Sequence, residues 1–318
     1  MQWARQVLSQ GAIRMKRIPR HRHTCLLSKQ ATPVARVAPG ESVVFETWDA
    51  LGGRVRSHKD ALELSLPREM GNPATGPVYV EGARTGDTLG VEIMDIRLGD
   101  LGYGRVKSGG VIIDELKPPA ANLTPIRNGM VRFNETLSFP VRPMVGVVGV
   151  APRGDPVPTF YPGDHGGNMD VNAAITGSTV FLPVSTPGGL LAIGDVHARM
   201  GDGELNGGGL DIAARVKVQV TLHQRLGWRR PVIETLDAWC TFANAPTLEE
   251  AIRQSTHDMV RMLSKGLEMS LEEAFILVGA AGDARIGQAA SLGMDCTAYL
   301  SIPKQILPSA KVLCSSRY

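Results

Sequence analysis

The densest run of reactive side chains is Ile193-Gly-Asp-Val-His-Ala-Arg-Met-Gly-Asp-Gly-Glu204. In an extended segment Asp195 and His197 project from one face, about 7 Å apart along the strand, so a carboxylate and an imidazole can converge on one ion. Asp202 and Glu204 add two carboxylates on a turn punctuated by Gly201 and Gly203. A plain two-residue hairpin at Asp202-Gly203 would leave Glu204 roughly 13 Å further along than His197. A shared site therefore requires residues 198–204 to fold back as a compact loop, which the two glycines permit. On spacing alone, a surface hairpin with solvated carboxylates has equal standing. The second run, Pro162-Gly-Asp-His-Gly-Gly-Asn-Met-Asp170, sets His165, Asn168 and Asp170 around adjacent glycines that let backbone approach a ligand closely. Taken by itself, a stretch rich in Gly, Asn and Asp is usually only a turn.

The elements that must position these residues read as mainly β. Strands are expected at 42–48, 77–80 and 89–96, the last alternating imperfectly, with shorter ones near 111–114, 130–133 and 144–150. Such spacing predicts a β-sandwich, jelly-roll-like, over residues 33–150. Residues 151–177 hold too much Pro and Gly for regular structure, and a loop that long inside a domain is functional or disordered. Strands resume at 179–183, 190–195 and 210–222, where Val216, Val218 and Val220 alternate with Lys217, Gln219 and Thr221. Two helices follow, opened by the capping boxes Thr247-Leu-Glu-Glu250 and Ser270-Leu-Glu-Glu273, the first closed by Gly266. A final strand spans 297–302. Residues 151–318 thus carry the site loops, further strands and a C-terminal α+β part with two helices. Gly146-Val-Val-Gly149 lacks the remaining glycine and the helix of a dinucleotide fingerprint.

Composition narrows the function classes. At 318 residues with 43% hydrophobic and 20% charged residues, the chain can bury a sizeable core. Its net charge of +3 is set by residues 1–40, which hold eight Lys/Arg and no acid; the rest carries 26 basic against 31 acidic residues. A mildly acidic body argues against nucleic acid as a partner. Residues 1–32 read as a basic, disordered tail, with a presequence or an overlong start ahead of Met15 as variants. No apolar run reaches the ~18 residues of a membrane span, so no membrane partner is expected. Cys25, Cys240, Cys296 and Cys314 stand singly, without CxxC spacing, which fits a reducing cytoplasm.

Together the two reactive runs resemble the paired signatures of the acetamidase/formamidase family. The resemblance extends to Val37-Ala-Pro-Gly-Glu41, Thr75-Gly-Pro-Val-Tyr-Val-Glu-Gly-Ala83, Gly86-Asp87 and Leu300-Ser-Ile-Pro-Lys304, in order over residues 33 to 308. It implies a β-sandwich with α+β additions, hydrolysis of short linear amides to acid and ammonia, and a divalent metal. On matching positions it implies Asp170, Asp195 and His197 as the metal shell with Glu204 beside it. Where the family tends to have Glu after the glycine-rich stretch, this chain has Asp211, a shorter carboxylate.

The chemistry agrees, since an amide carbonyl is a poor electrophile and an enzyme without a nucleophile–base pair needs a Lewis acid and an activated water. Glu204 is then the catalytic base and Asn168 a donor to the oxyanion, with His165, Asp202 and Asp211 as second-shell or substrate contacts. One histidine among carboxylates leaves Zn²⁺, Mn²⁺ and Ca²⁺ open; zinc is favoured because hydrolysis at neutral pH needs a water of lowered pKa. His21, His23, His58, His223 and His257 read as solvated or structural. Two alternatives compete with the amidohydrolase: a cupin-like metalloenzyme, disfavoured because Asp195-x-His197 replaces the HxH pattern, and a jelly-roll binding protein with a structural ion. The small amide is the expected partner, together with further copies of the chain in a homo-oligomer.

Overall fold

The computed structural model describes residues 15–107, 110–224, 226–289 and 293–313. The first half supplies β1 (Lys16–Ile18), β2 (His23–Thr24), β3 (Leu26–Leu27), β4 (Ala35–Val37), β5 (Ser42–Thr47), helix α1 (His58–Glu63), β6 (Ala74–Val80) and β7 (Thr88–Leu98). It continues with β8 (Leu101–Val106), β9 (Ala120–Arg127), β10 (Met130–Arg132), β11 (Ser138–Pro140) and β12 (Met144–Gly149). The second half supplies β13 (Val157–Pro158), β14 (Pro162–Gly163), β15 (Gly166–Asn168), β16 (Thr179–Pro183), β17 (Leu191–His197), β18 (Ala214–His223), β19 (Val232–Glu234) and β20 (Ala238–Ala245). It closes with α2 (Leu248–Leu267), α3 (Leu271–Ala281), β21 (Asp283–Ile286), β22 (Cys296–Pro303) and α4 (Ser309–Leu313).

Two sheets form the sandwich. The larger runs β1-β5-β18-β7-β16-β19-β20-β22-β21; the other runs β14-β15-β12-β17-β6-β2, with β4 also pairing β6. Alternation decides which faces meet: Val216, Val218 and Val220 are fully buried, whereas Lys217 and Gln219 between them are half-buried. They join Phe45, Val91 and Ile93 of the same sheet and Val78, Val145, Leu191 and Ile193 of the other in one core. The imperfect alternation of β7 is a bulge. Lys217 pairs with Asp95 and Val218 with Ile93, so Met94 is an extra residue and turns to solvent. Because β5 and β7 pair with β18, and β6 and β12 with β17, strands from both sides of residue 150 share each sheet.

A third sheet, β11-β10-β9-β8, carries α1 against β8 and β9. Strands β8 and β9 and helix α1 escape the sequence reading, and the strand expected at 111–114 is a single 3₁₀ turn with Val111 and Ile112 exposed. An apolar run beside Pro118-Pro119 finds no strand to pair with. The basic tail also needs correction, because residues 15–32 are ordered. β1 pairs with β5, β2 with β6 and β3 with β13, Leu27 and Ile18 are buried, Arg20 lies over the Trp48 ring, and Lys16 and Arg17 bind Glu41 and Glu46. Composition registers these charges, whereas strand pairing and acids brought from elsewhere stabilise the segment. The expectations for residues 1–14 and for Cys314 lie outside the described residues.

Helices α2 and α3 cover β20 and β22 through Trp239, Met259, Leu263, Ala274, Val278, Leu300 and Ile302. Both are capped by the expected hydroxyls, but only Ser270 forms a reciprocal box. At Thr247 the Glu250 carboxylate binds Arg253 and Gln254 instead, and α2 ends one residue past Gly266, on Glu268 in the left-handed conformation. No helix among the described residues is long and apolar enough to cross a membrane.

Candidate metal and catalytic site

The site lies where β17 ends. In the seven-stranded sheet β17 sits between β12 and β6, and its last turnward residues, Asp195 and His197, face a segment that leaves β15 at Asp170. Residues 166–174, expected to be irregular, are all buried, so this segment is interior and its short strands pair beside β12. Gly146 of β12 makes the approach feasible: a Cβ there would overlap Asp170 Oδ1 and come 2.8 Å from the Asp195 carbonyl. Gly209 does the same for the imidazole, because a Cβ would come 2.6 Å from His197 Cγ and Nδ1.

Backbone strain is concentrated here. Asn72, Asp170, Asp195 and Glu204 have φ of +48°, +47°, +51° and +45°, the left-handed region that L residues rarely occupy. Four of the seven such non-glycine residues among those described thus belong to one site. Each costs of order 1–3 kcal/mol and persists only where the surroundings over-determine it, a signature of functional positions.

Asp170, Asp195 and His197 are buried, and one ligand atom from each falls within 4.8 Å of the others. Asp170 Oδ1 and Asp195 Oδ1 have no hydrogen-bond partner although they are fully enclosed. Asp195 Oδ1 stands 3.6 Å from His197 Nε2, too far to bond, while Asp211 Oδ1 stands at 3.1 Å. Orphaned carboxylate oxygens beside a ring nitrogen are the arrangement a divalent cation satisfies, since a buried anion is stable only when paired or coordinated. The residues therefore fit a metal, and this group could bind one.

Electrostatics follow from that crowding. Burial, then the Asp195 charge, pushes the Asp170 carboxyl up to about 7. Burial alone disfavours the His197 cation, but Asp195 and Asp211 outweigh it and hold the ring well above the ordinary histidine range. Burial, then Asp170, raises Glu204 far above the usual carboxylate range, and burial also raises Asp211.

A cavity of about 240 Å³ opens on this floor, lined by Asn168, Asp170, Asp195, His197, Glu204 and Asp211, with Leu51, Pro67, Phe160 and Met294 as apolar walls and Arg68, Arg105 and Lys107 as cations. Glu204 lies outside the three-residue ligand group yet shares the cavity, which the compact fold-back makes feasible. Glu204 N donates to Gly201 O, and Gly203 forms a bridge with Gln288. Asp211 enters through a strand-like bridge to His197. Two expected contacts are not brought in. Asp202 turns away, accepting from Asn172 at 2.8 Å and Tyr299 at 3.4 Å near Arg285, and is not part of the cavity wall. His165 is buried against Gly163 and Gly167, also outside the wall, where burial lowers its pKa to about 4.

Sequence reasoning missed Asn72 and Gln288. Asn72 Nδ2 donates to Asp195 Oδ2 at 2.6 Å and Asn168 Oδ1 at 3.0 Å; Gln288 Nε2 donates to the Asn168 carbonyl. By occupying Asn168 Oδ1, Asn72 fixes the orientation of that amide, whose Nδ2 remains as the donor. Tyr103, which donates to the buried Asp49 and bridges Asp211 through backbone, was also missed. None of these stands in a run of reactive residues.

Residues 28–158 and 155–308 match the Acetamidase/Formamidase family. The chain belongs to that family. It is similar to a solved acetamidase from Bacillus halodurans, 37% identical with a TM-score of 0.86, covering 91% of this chain and 97% of that one. A structure from Thermoanaerobacter tengcongensis, described as a predicted acetamidase/formamidase, is 35% identical with a TM-score of 0.89, covering 94% and 99%. A formamidase from Methylophilus methylotrophus is 23% identical over 63% of this chain and 65% of its own length. The chain spans about three-fifths of the length of the curated relatives it matches. In this acetamidase/formamidase family member both resemblance-bearing runs, 164–170 and 194–204, contribute to one cavity.

Proposed function

We propose that the chain hydrolyses short linear amides, formamide, acetamide or similar, to carboxylate and ammonia. The reading is carried by one observation: Asp170, Asp195, His197, Glu204 and Asn168, drawn from two runs, line one small cavity. At about 240 Å³ it falls below the roughly 300–1,000 Å³ of sites for drug-sized ligands, which suits a substrate of few atoms.

Asp170, Asp195 and His197 would hold a divalent cation, zinc being favoured over manganese or calcium because neutral hydrolysis needs a water of lowered pKa. Bound there, the ion supplies Lewis-acid polarisation, an acidified water and a charge that draws Glu204 toward its ionised form. Glu204 accepts the proton of the attacking water and delivers it to departing ammonia. Asn168, oriented by Asn72, donates from Nδ2 to the carbonyl oxygen as negative charge develops on it. Asp211 Oδ1 stands 3.1 Å from the same Nε2 that faces Asp195, so its carboxylate would border the ion, whereas the far ring nitrogen Nδ1 has no hydrogen-bond partner among the described residues. The apolar wall of Leu51, Pro67 and Phe160 receives the short acyl group. Free Cys25, Cys240 and Cys296 support a reducing, cytoplasmic setting.

The test is ammonia release from formamide, acetamide, propionamide and an aryl amide after loading with zinc, manganese or calcium. Release from the short amides is expected. No release from any amide with any of the three ions, in a sample whose metal content is verified, overturns the reading.

A further inference from the structure

The mouth of the site cavity is charged opposite to its floor. The carboxylates of its lining, Asp170, Asp195, Glu204 and Asp211, are all buried, whereas Arg105 and Lys107 are half-buried and Arg68 is exposed. Depth therefore separates the signs, acids beneath and cations above. The arrangement runs against the composition, since residues 41–318 carry more acid than base.

Local structure places these cations. Residues 103, 105 and 107 alternate onto one face of β8 and its continuation, with Tyr103 buried and Lys107 just past the last strand residue, Val106. Lys107 Nζ donates to the Glu63 and Leu64 carbonyls at 2.8 and 2.9 Å, and Arg105 Nη1 donates to the Leu64 carbonyl at 2.8 Å, which satisfies the C-terminal end of α1. Arg68 Nη1 donates to the Gly293 carbonyl at 3.1 Å, with its guanidinium 5.8 Å from the Phe160 ring centroid. Such bonds fix position without neutralising charge. Among the described residues neither Arg105 nor Lys107 forms a salt bridge, and the nearby Glu63 carboxylate faces Lys59 instead. Lys107 keeps a third ammonium proton and Arg105 further N–H groups for another acceptor. An uncharged amide could meet the same carbonyls, so capping α1 does not by itself require cations.

A neutral amide gives these charges nothing to bind, whereas a carboxylate accepts from both guanidinium and ammonium donors. We infer that the preferred substrate is a short primary amide with a carboxylate at its far end, the monoamide of a small dicarboxylic acid. Its amide lies on the floor, its methylenes pass the apolar wall of Leu51, Pro67 and Phe160, and its carboxylate meets Arg105 and Lys107 beside Arg68. The inference rests on the amidohydrolase reading and narrows its substrate. The bond changes are those of any amide hydrolysis: the C–N bond breaks, the water oxygen forms the new C–O bond, nitrogen leaves with the water's proton as ammonia, and the far carboxylate is untouched.

The test compares initial ammonia release from malonamate, succinamate and glutaramate with that from the matching diamides, whose second amide copies the carboxylate's shape without its charge. At the best-fitting length the carboxylate should raise kcat/KM about 10–100-fold, chiefly through KM, the scale of one charge-assisted hydrogen bond. The ratio should shrink as salt is raised, because the mouth is open to solvent. Lys107→Met and Arg105→Met should each pull the ratio toward one at wild-type circular dichroism, and Lys107→Arg should retain it. A second arm needs neither turnover nor a variant. In calorimetry on the full wild-type chain, the tighter of succinate and glutarate should bind about 10-fold more strongly than butyrate, which ends in a methyl where succinate has its second carboxylate. Equal kcat/KM for monoamide and diamide at every length overturns the inference and leaves the amidohydrolase reading standing, as does a ratio unchanged in both folded Met variants. No ammonia from any amide overturns that reading instead, and the calorimetry then decides: equal affinities overturn the anion site, and tighter dicarboxylate binding sustains it.

Discussion

Where α2 and α3 cover β20 and β22, the interior is Trp239, Met259, Leu263, Leu300 and Ile302, and the buried hydroxyls of Thr241, Ser255 and Ser301 each donate to a backbone carbonyl. Where β12, β15 and β17 meet, side chains are buried as completely, yet they are Asp170, Asp195, His197, Glu204 and Asp211. Of seven buried side-chain atoms without a hydrogen-bond partner among the described residues, five belong to His165, Asp170, Asn172, Asp195 and His197, and only Trp239 Nε1 to the helix-covered end. Burial in the first region stabilises the fold. In the second it opposes folding and is maintained by the sandwich around it, because an unpaired buried polar group costs about 1–3 kcal/mol. The sandwich core and helical layer supply stability that the site consumes.

The comparison breaks if the two regions respond alike to substitution. Glu204→Gln keeps shape and removes the group assigned to the water's proton, so kcat for formamide or acetamide should fall about 10²–10⁴-fold, ~3–5 kcal/mol of barrier, at unchanged metal content. A kcat near wild type would transfer that role to Asp211. Trp239→Ala should do the reverse. It empties a fully buried site in the helix-covered layer, costing about 3–5 kcal/mol in denaturant unfolding, while metal content in the folded fraction stays at the wild-type level.

His165 sharpens the comparison through pH. Its folded pKa of about 4 lies below the ordinary 6.5, so the folded protein prefers the neutral ring. That preference contributes stability above pH 6.5. As pH falls from 6.5 toward 4 the unfolded chain binds the proton first, and roughly 3 kcal/mol is lost at ~1.4 kcal/mol per unit. His165→Gln should flatten this part of the pH–stability curve; equal slopes in both proteins would show that the ring is not held neutral. The smallest effect is expected at Asn72→Gly, which keeps the left-handed backbone and deletes both side-chain hydrogen bonds. Metal affinity should drop about 10–100-fold, measured by chelator competition, with activity returning in excess metal.

What was legible in the sequence was whatever is local. Asp195-x-His197 and the glycine-rich run ending at Asp170 declare themselves by spacing, as do the β18 alternation and the capping hydroxyls Thr247 and Ser270. Asn72 does not, because it is 123 residues from the Asp195 carboxylate it holds and only sheet register brings them together. Asp202 was misplaced for the converse reason. It adjoins reactive neighbours in sequence, but the loop that turns Glu204 inward turns Asp202 toward Asn172 and Tyr299. The N-terminal strands were invisible because three-residue and two-residue pieces carry no periodicity and are stabilised by distant partners. The fold class survived such misses, since many alternating strands over-determine a sandwich.

The account rests on Asp170, Asp195 and His197 holding a divalent cation, and elemental analysis of the purified chain tests that without recourse to activity. Wild type is expected to carry about one ion per chain, and His197→Ala, which removes the sole nitrogen of the group, should fall well below that at unchanged circular dichroism. Full occupancy in His197→Ala would contradict the account and move the metal elsewhere in the molecule.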